Sequence, residues 1–335
     1  MRWSVCSLAF GMVWTVAAAP IRLDAPLTAL DGKTVIMEEN GDPSFGVAYA
    51  AGSVAKVVMT AGEVHVRDGN MQVAGHGTGI LEQRGGTVTV AHWCVIGRWK
   101  GANGTYILSG GTFNQWFDGF GLVVGEEGDG TVIVQGEGVA NLTGGLFLSG
   151  GSGGGEGRAV VSLRKGGVIN TPRVGTLSGT NSRFEFDGGT LRVRGSGRTN
   201  LSVMQGLAEA VILLGGAVIE TGDNEVLIYQ ALSGEGGLVK RGKGTLILAG
   251  KNRYGGKTVV EEGLLRFSGD ESLPPGVLEV RRGARIDFGG RTIAVGRIAG
   301  DGEIAGCVLL NAAGKKRRVV LESLENDPTF EGGSE

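Results

Sequence analysis

Apolar and polar positions alternate in short segments that recur along most of the chain. In 104–108 and 130–134, the second and fourth positions after the leading glycine are apolar and the positions between them are mixed. This alternation with a period of two is typical of half-buried β-strands. A glycine or a glycine pair follows most of these segments, at points where the chain must bend. The pattern therefore predicts short strands that end in sharp corners.

The segments form a regular repeat whose first six units are 25, 26, 27, 25 and 27 residues apart. The units open at Gly79, Gly104, Gly130, Gly157, Ser182, Glu209 and Gly244. A second apolar run, such as 122–124, follows in several units, so each period holds two or three strands. That is the size of one coil of a parallel β-solenoid, whereas a propeller blade needs four strands and about 40 residues or more.

Composition supports the same interpretation. Glycine accounts for 65 of the 335 residues, a density that would destabilise an array of helices because each internal glycine costs about 1 kcal/mol relative to alanine. The apolar fraction of 41% disfavours a disordered low-complexity chain. We therefore predict an all-β protein that folds as a parallel β-helix (β-solenoid), with coils of about 25–27 residues.

Two ladders of inward side chains follow from this register. The first is predicted to contain Leu81, Tyr106, Val132, Ala159 and Phe184. The second is predicted to contain Leu108, Val134, Val161 and Phe186. Equivalent residues of neighbouring coils lie about 4.8 Å apart in such a fold, so each ladder would be a continuous strip of the core.

The amino-terminal segment predicts export. A basic start, an apolar stretch and the small residues before Ala18 are typical of a signal peptide, so we expect residues 1–18 to be removed. We expect the β-helix over 19–310 and a carboxy-terminal strand and tail over 311–335. No other segment is apolar enough to predict a membrane span. The mature protein is expected in the periplasm, on the cell surface or outside the cell.

One stretch, residues 236–260, reads GGLVKRGKGTLILAGKNRYGGKTVV. It resembles the autotransporter-associated β-strand repeat, whose pattern is GGLxKxGxGTLxLxGxNxYxGGT, and the resemblance extends over 233–268. Its notable departure is Lys257, inserted before Thr258. The resemblance implies a right-handed parallel β-helix outside the cytoplasm, in which the repeat assists secretion or folding of a passenger. It implies no active-site residues.

Members of that family that secrete themselves carry a carboxy-terminal membrane barrel. This sequence stops at Glu335 without room for the series of alternating segments typical of one, and it has no apolar stretch with a basic tail after Gly306 that would predict a sorting anchor. We therefore expect a passenger-like protein that does not transport itself.

Charge and titratable residues argue against several classes of function. The formal charge of -2 comes from 32 basic and 34 acidic residues that are interspersed, so we expect no nucleic-acid partner. The three histidines lack ligand spacing, and no metal site or cofactor is expected. The outward carboxylates of Glu82 and Glu185 are about four coils apart, too far to cooperate, so we predict no catalytic residues and no enzyme.

Two sets of residues are candidates for binding surfaces. Trp99, Trp116 and Phe117 fall in links between strands, where their rings would either stack on sugars or pack locally. Ile107, Ile133 and Val160 occupy outward positions of three successive units. They predict an apolar stripe, covered either by the chain itself or by a partner.

These patterns favour an exported, non-enzymatic β-solenoid that serves as a structural or adhesion module, with a protein or a glycan at the cell surface as its partner. The alternative is a polysaccharide lyase or glycoside hydrolase built on a β-helix, because a fold alone does not determine activity.

Overall fold

A computed structural model describes residues 44–116, 121–151, 157–195, 201–269, 274–293 and 298–310, the single residues 197, 199 and 272, and five short strands nearer the two ends. Every regular element in these ranges is a β-strand. The described residues accordingly contain no helix that could cross a membrane.

The strands belong to three sheets, and the chain visits the sheets in turn. The 13-stranded sheet contains, in order, Val13–Thr15, Lys33–Met37, Gly62–Val66, Thr87–Val90, Thr112–Gln115, Val139–Leu142, Val168–Thr171, Thr190–Val193, Ala217–Glu220, Leu238–Arg241, Thr258–Val260, Leu278–Val280 and Ile298–Gly300.

The 14-stranded sheet contains Ile21–Leu23, Phe45–Val47, Met71–Val73, Cys94–Ile96, Leu122–Val124, Leu146–Leu148, Val174–Gly175, Leu201–Met204, Glu225–Ile228, Thr245–Leu248, Leu264–Phe267, Arg285–Ile293, Glu303–Leu310 and Lys316–Arg317. The 8-stranded sheet contains Thr28–Leu30, Val54–Met59, Thr78–Gln83, Asn103–Leu108, Asp129–Val134, Ala159–Arg164, Ser182–Asp187 and Glu209–Ile212.

Each strand pairs in parallel with its counterpart one coil away. Tyr106, for example, is in register with Leu81 on one side and with Val132 on the other. The last pair, between Glu303–Leu310 and Lys316–Arg317, is antiparallel. The predicted parallel β-solenoid is therefore confirmed.

The core consists of inward ladders, as the alternation predicts, but two members differ from the prediction. Ala159 pairs with Gly130, so Val161 lies beside Val132 and Leu163 lies beside Val134. The predicted register placed Gly157 at the head of this unit, whereas Gly157 belongs to the corner that precedes the strand. Because the error is two residues, all predicted members still face inward and are buried.

The repeat unit that opens at Glu209 predicts Val211 at an inward position, beside Phe184, but the strand Glu209–Ile212 is shifted by a single residue. Phe184 pairs with Ala210, and Glu185 pairs with Val211. A shift of one residue exchanges the two faces of a strand. Ala210 is therefore in the core and Val211 faces outward, half-buried.

The solenoid changes its cross-section after the strand Glu209–Ile212, where the 8-stranded sheet ends. Later coils alternate between the two remaining sheets, and their strands in the 13-stranded sheet begin about every 20 residues, at 217, 238, 258, 278 and 298. The predicted coil of 25–27 residues thus describes only the wide, three-stranded part. Thr245–Leu248, which opens the seventh unit of the sequence repeat, belongs to the narrow part.

At the amino-terminal end, the strand Val13–Thr15 pairs with Thr34–Ile36. This strand lies inside the segment predicted to be a signal peptide.

Candidate functional site

The structure separates the tryptophans that the sequence grouped as candidates for glycan stacking. Trp99 lies in the corner between Cys94–Ile96 and Asn103–Leu108, whereas Trp116 follows Thr112–Gln115 in the corner before the 14-stranded sheet. The two corners are at opposite ends of the strands of that sheet, so these side chains do not form one surface. Trp116 is 69% exposed. Phe117 lies outside the described residues.

Trp99 instead belongs to a row of rings along one corner of three successive coils, which we call the aromatic row: Tyr49, His76 and Trp99. The ring centroids of Tyr49 and His76 are 5.9 Å apart in an edge-on arrangement. Those of His76 and Trp99 are 5.8 Å apart, with an angle of 13° between the planes. His76 is exposed and the two other rings are half-buried, so the row is accessible from solvent.

Hydrogen bonds between corners hold the aromatic row in place. The His76 backbone N–H donates to the Tyr49 carbonyl at 3.1 Å, and that of Trp99 donates to the Gly75 carbonyl at 3.0 Å. Gly75 is required for a steric reason, because a Cβ at this position would lie 2.6 Å from Cδ2 of the Tyr49 ring. The absence of a side chain therefore lets the Tyr49 ring lie against the backbone of the next coil.

A fixed cation stands beside the row. The Arg98 guanidinium carbon lies 4.6 Å from the Trp99 ring centroid, a cation–π arrangement. Its Nε lies 3.6 Å from Oε2 of Glu126 in the following coil, and both side chains are largely buried. The ion pair holds the guanidinium over the indole, so Trp99 is a rigid part of the surface.

Sequence reasoning found Trp99 but missed Tyr49 and His76. His76 is one of the three histidines whose spacing predicted no metal site. The signal that could have found it is its position, about one coil from both Tyr49 and Trp99 in the sequence.

The predicted apolar stripe of Ile107, Ile133 and Val160 is shorter than expected. Ile107 is in register with Ile133, but Ile133 is followed by Ser162. Val160 lies in the adjacent outward row, beside Thr131. The cause is the two-residue shift at Gly157, and only Ile107 and Ile133 are direct neighbours. All three side chains of the prediction are half-buried.

The outward row that contains these isoleucines has a carboxylate near each end. It runs through Glu82, Ile107, Ile133, Ser162 and Glu185. Glu82 and Glu185 are thus four strands apart, about 19 Å at the spacing of a sheet. Paired catalytic carboxylates of glycosidases are about 5 to 9.5 Å apart, so these two do not form such a pair.

Each of these carboxylates is held by cations. Lys56, at 2.8 Å, and Arg84 bind Glu82, and the hydrogen bond from Lys56 is the main cause of its lowered pKa. Burial tends to raise the pKa of Glu185, but hydrogen bonds from Ser162 and Arg183 outweigh it and lower the pKa. Both carboxyl groups therefore stay ionised at neutral pH, as structural ion pairs do.

The narrow part contains a buried cation that the sequence did not reveal. Lys240 occupies an inward position between Ile219 and Val260, and it is fully buried. The three N–H donors of its ammonium are shared among four oxygens within hydrogen-bonding distance: Oγ1 of Thr221 and the carbonyls of Arg241, Gly242 and Glu262. Burial lowers its pKa to about 8. These oxygens belong to three successive corners, so Lys240 ties three coils together.

Two further buried polar side chains have the same structural role. The Asn252 amide oxygen accepts from the Leu232 N–H at 3.0 Å, and its Nδ2 donates to the Ser272 carbonyl at 2.7 Å. The hydroxyls of Tyr254 and Thr258 lie 2.7 Å apart inside the core. The lysine, asparagine and tyrosine of the repeat pattern therefore form hydrogen bonds inside the solenoid. They do not belong to a surface site.

The part of the chain that the structure describes offers neither a metal-binding cluster nor an accessible thiol. No cluster of three or more His, Cys, Asp or Glu side chains there could hold a metal ion. Cys94 is a free, buried thiol, and burial raises its pKa.

Comparisons with known proteins agree with this architecture. Residues 238–267 match the family described as the passenger-associated-transport-repeat. The chain is 30% identical over 159 residues to the "Adhesin BmaC autotransporter" of Brucella suis biovar 1 (strain 1330), which is 46% of this chain but only 4% of the adhesin. No solved structure gives a significant match. The chain therefore contains one such repeat and is similar to a small part of an autotransporter adhesin.

Proposed function

We propose that this protein is an exported, non-enzymatic β-solenoid that acts in adhesion at the cell surface, and that the aromatic row contacts glycans. The similarity to an autotransporter adhesin supports the surface role. The chain spans about 4% of that adhesin's length, so adhesion is an inference for this chain.

The observation that carries the glycan contact is the geometry of Tyr49, His76 and Trp99. Sugar rings pack their apolar faces against aromatic rings, and a row that extends over three coils offers contacts to consecutive sugars. Arg98 holds Trp99 in a fixed position, which reduces the entropy lost when a ligand binds.

The test uses two tryptophans that lie in different corners. Purified wild-type protein, Trp99→Ala and Trp116→Ala are compared on a panel of immobilised glycans. Trp99→Ala should weaken binding at least about tenfold, equivalent to about 1.4 kcal/mol. Trp116→Ala, which removes a more exposed indole from another corner, is the matched control and should bind like the wild type.

The opposite pattern, in which Trp116→Ala loses binding and Trp99→Ala keeps it, would contradict the role of the aromatic row. His76→Ala provides a second variant, because His76 is exposed and its removal should leave the fold unchanged.

A further inference from the structure

The sequence contains three Asn-x-Ser/Thr triplets, the acceptor motif for N-linked sugars when the middle residue is not proline. They are Asn103-Gly104-Thr105, Asn141-Leu142-Thr143 and Asn200-Leu201-Ser202. So short a motif also arises by chance, and its setting in the folded chain decides whether a transferase can reach it. The structure describes the first two triplets completely, whereas Asn200 lies outside the described residues.

The first triplet begins at an open position on the outside of the solenoid. Asn103 is the first residue of the strand Asn103–Leu108, and its side chain is exposed. Its partners in register are Thr78 on one side and Asp129 on the other, both exposed and both with short side chains. The Asn103 amide makes no hydrogen bond to any residue that the structure describes. Its nitrogen is therefore open to solvent, with space around it for a sugar.

The two side chains that the motif requires lie on one face of the strand. Alternate residues of a strand point to the same side, so Asn103 and Thr105 both point outward, and Gly104 between them is buried. A Cβ at Gly104 would lie 2.4 Å from the Val73 carbonyl oxygen, so the backbone packing requires glycine there. The folded chain thus presents the amide and the hydroxyl of the motif from the same side.

The second triplet has the same pattern in a different setting. Asn141 is half-buried on the outer face of the 13-stranded sheet. Its Nδ2 donates to Oδ1 of Asn114 at 2.9 Å, and its Oδ1 accepts from Nδ2 of Asn170 at 2.6 Å. An amide that bridges the coils on both sides must give up a hydrogen bond before its nitrogen can react. The structure therefore distinguishes two motifs that the sequence makes equivalent.

We propose that Asn103 is a site of N-glycosylation on the folded solenoid, and that Asn141 is not modified in that state. In the transfer, Nδ2 of Asn103 forms a bond to the anomeric carbon of a sugar that carries a diphosphate leaving group. The bond between that carbon and the diphosphate oxygen breaks, the diphosphate leaves with the electron pair, and one amide proton passes to a base of the transferase. Display of the sugar at the cell surface rests on the proposed function, whereas its attachment rests on Asn103 and Thr105 alone.

The first test is peptide mass spectrometry of the full chain isolated from the cells that produce it. We expect the peptide that contains Asn103 to carry a hexose or an N-acetylhexosamine, assigned to Asn103 by fragmentation. Thr105→Ala should abolish the modification, Thr105→Ser should keep it because the hydroxyl remains, and Asn141→Gln is the matched control that should leave it unchanged. An unmodified Asn103 in the wild type, or a sugar on Asn103 in Thr105→Ala, would overturn the proposal.

A second test separates the folded setting from the sequence motif. The unmodified full chain, and proteolytic peptides of it, are incubated with UDP-glucose and an N-glycosyltransferase that accepts Asn-x-Ser/Thr motifs. In the folded chain, Asn103 should be modified at least about tenfold faster than Asn141, whereas the two peptides should react at similar rates. Equal rates in the folded chain, or transfer to the Asn103 peptide but not to folded Asn103, would contradict the proposal. Trp99→Ala should leave transfer unchanged, so failure at the aromatic row and failure at Asn103 are distinguishable.

Discussion

The ammonium nitrogen of Lys240 lies 3.0 Å from the carbonyl oxygen of Glu262, which belongs to the following corner of the solenoid. The same ammonium binds Thr221 in the preceding corner at 3.1 Å. A single side chain in the core thus binds a hydroxyl in one corner and carbonyl oxygens in the two corners that follow.

Replacing Lys240 with methionine should destabilise the narrow part. The change keeps an unbranched chain of similar length but removes the donor, and buried oxygens left without a partner make the free energy of unfolding fall by about 2 to 4 kcal/mol. Urea unfolding measures this loss. Lys243→Met is the control, because Lys243 is exposed in the same coil and its loss should cost less than about 0.5 kcal/mol.

The pKa of Lys240 predicts a dependence of stability on pH. The folded amine loses its proton near pH 8, whereas the unfolded amine keeps it to about 10.5. Between these values unfolding takes up a proton, so a rise in pH favours the folded state. The free energy of unfolding, measured against Lys240→Met at each pH, should therefore increase from pH 8 to pH 10. A flat difference would show that the folded pKa is not lowered.

The register of the wide part can be tested by two truncations on neighbouring strands. Phe186 is fully buried and its ring centroid lies 4.7 Å from that of Phe184. Phe186→Ala should therefore cost about 3 to 5 kcal/mol. Val211 faces outward, so Val211→Ala should cost less than about 1 kcal/mol. If Val211→Ala proved as costly as Phe186→Ala, the one-residue shift at this strand would be wrong.

The role of the outward pair Ile107 and Ile133 can be tested by introducing a charged side chain at position 133. Ile133→Lys should leave the protein folded, with a loss below about 1 kcal/mol, because the lysine stem can lie along the sheet while the ammonium reaches water. Ile133→Val is the conservative control. We propose that Ile107 and Ile133 contribute to a contact between proteins, in which case Ile133→Lys also reduces any self-association seen by sedimentation. A loss above about 3 kcal/mol would instead make Ile133 internal packing.

Most of the fold was predictable because the same physical constraint acts on every coil. Glycines at corners and apolar residues two positions apart form a regular sequence pattern. Tyr106 and Val132 are paired as that pattern predicts. The pattern predicts the wrong strand register where a corner changes length. The extra glycines before Ala159 moved the register by two residues, since nothing local distinguishes a glycine that heads a strand from one that precedes it.

The candidate sites were less predictable, because they depend on which corners lie side by side. The aromatic row joins Tyr49, His76 and Trp99 through three corners of different sequence and length. The sequence pattern did not predict where the 8-stranded sheet ends. The segment at 245–248 has the same glycine-led apolar pattern as the strands of that sheet, although it belongs to the 14-stranded sheet. A local pattern therefore predicts a strand but not the sheet that it joins.

The narrower coils also alter how far the molecule reaches for a given length of chain. Every coil advances the axis by about 4.8 Å whatever its perimeter. A coil of about 20 residues therefore extends the rod by about 0.24 Å per residue, against about 0.18 Å for a coil of about 26 residues. Each residue added to the narrow end displaces the wide end and its aromatic row further along the axis than the same residue would in a wide coil, which makes the narrow part the more efficient spacer.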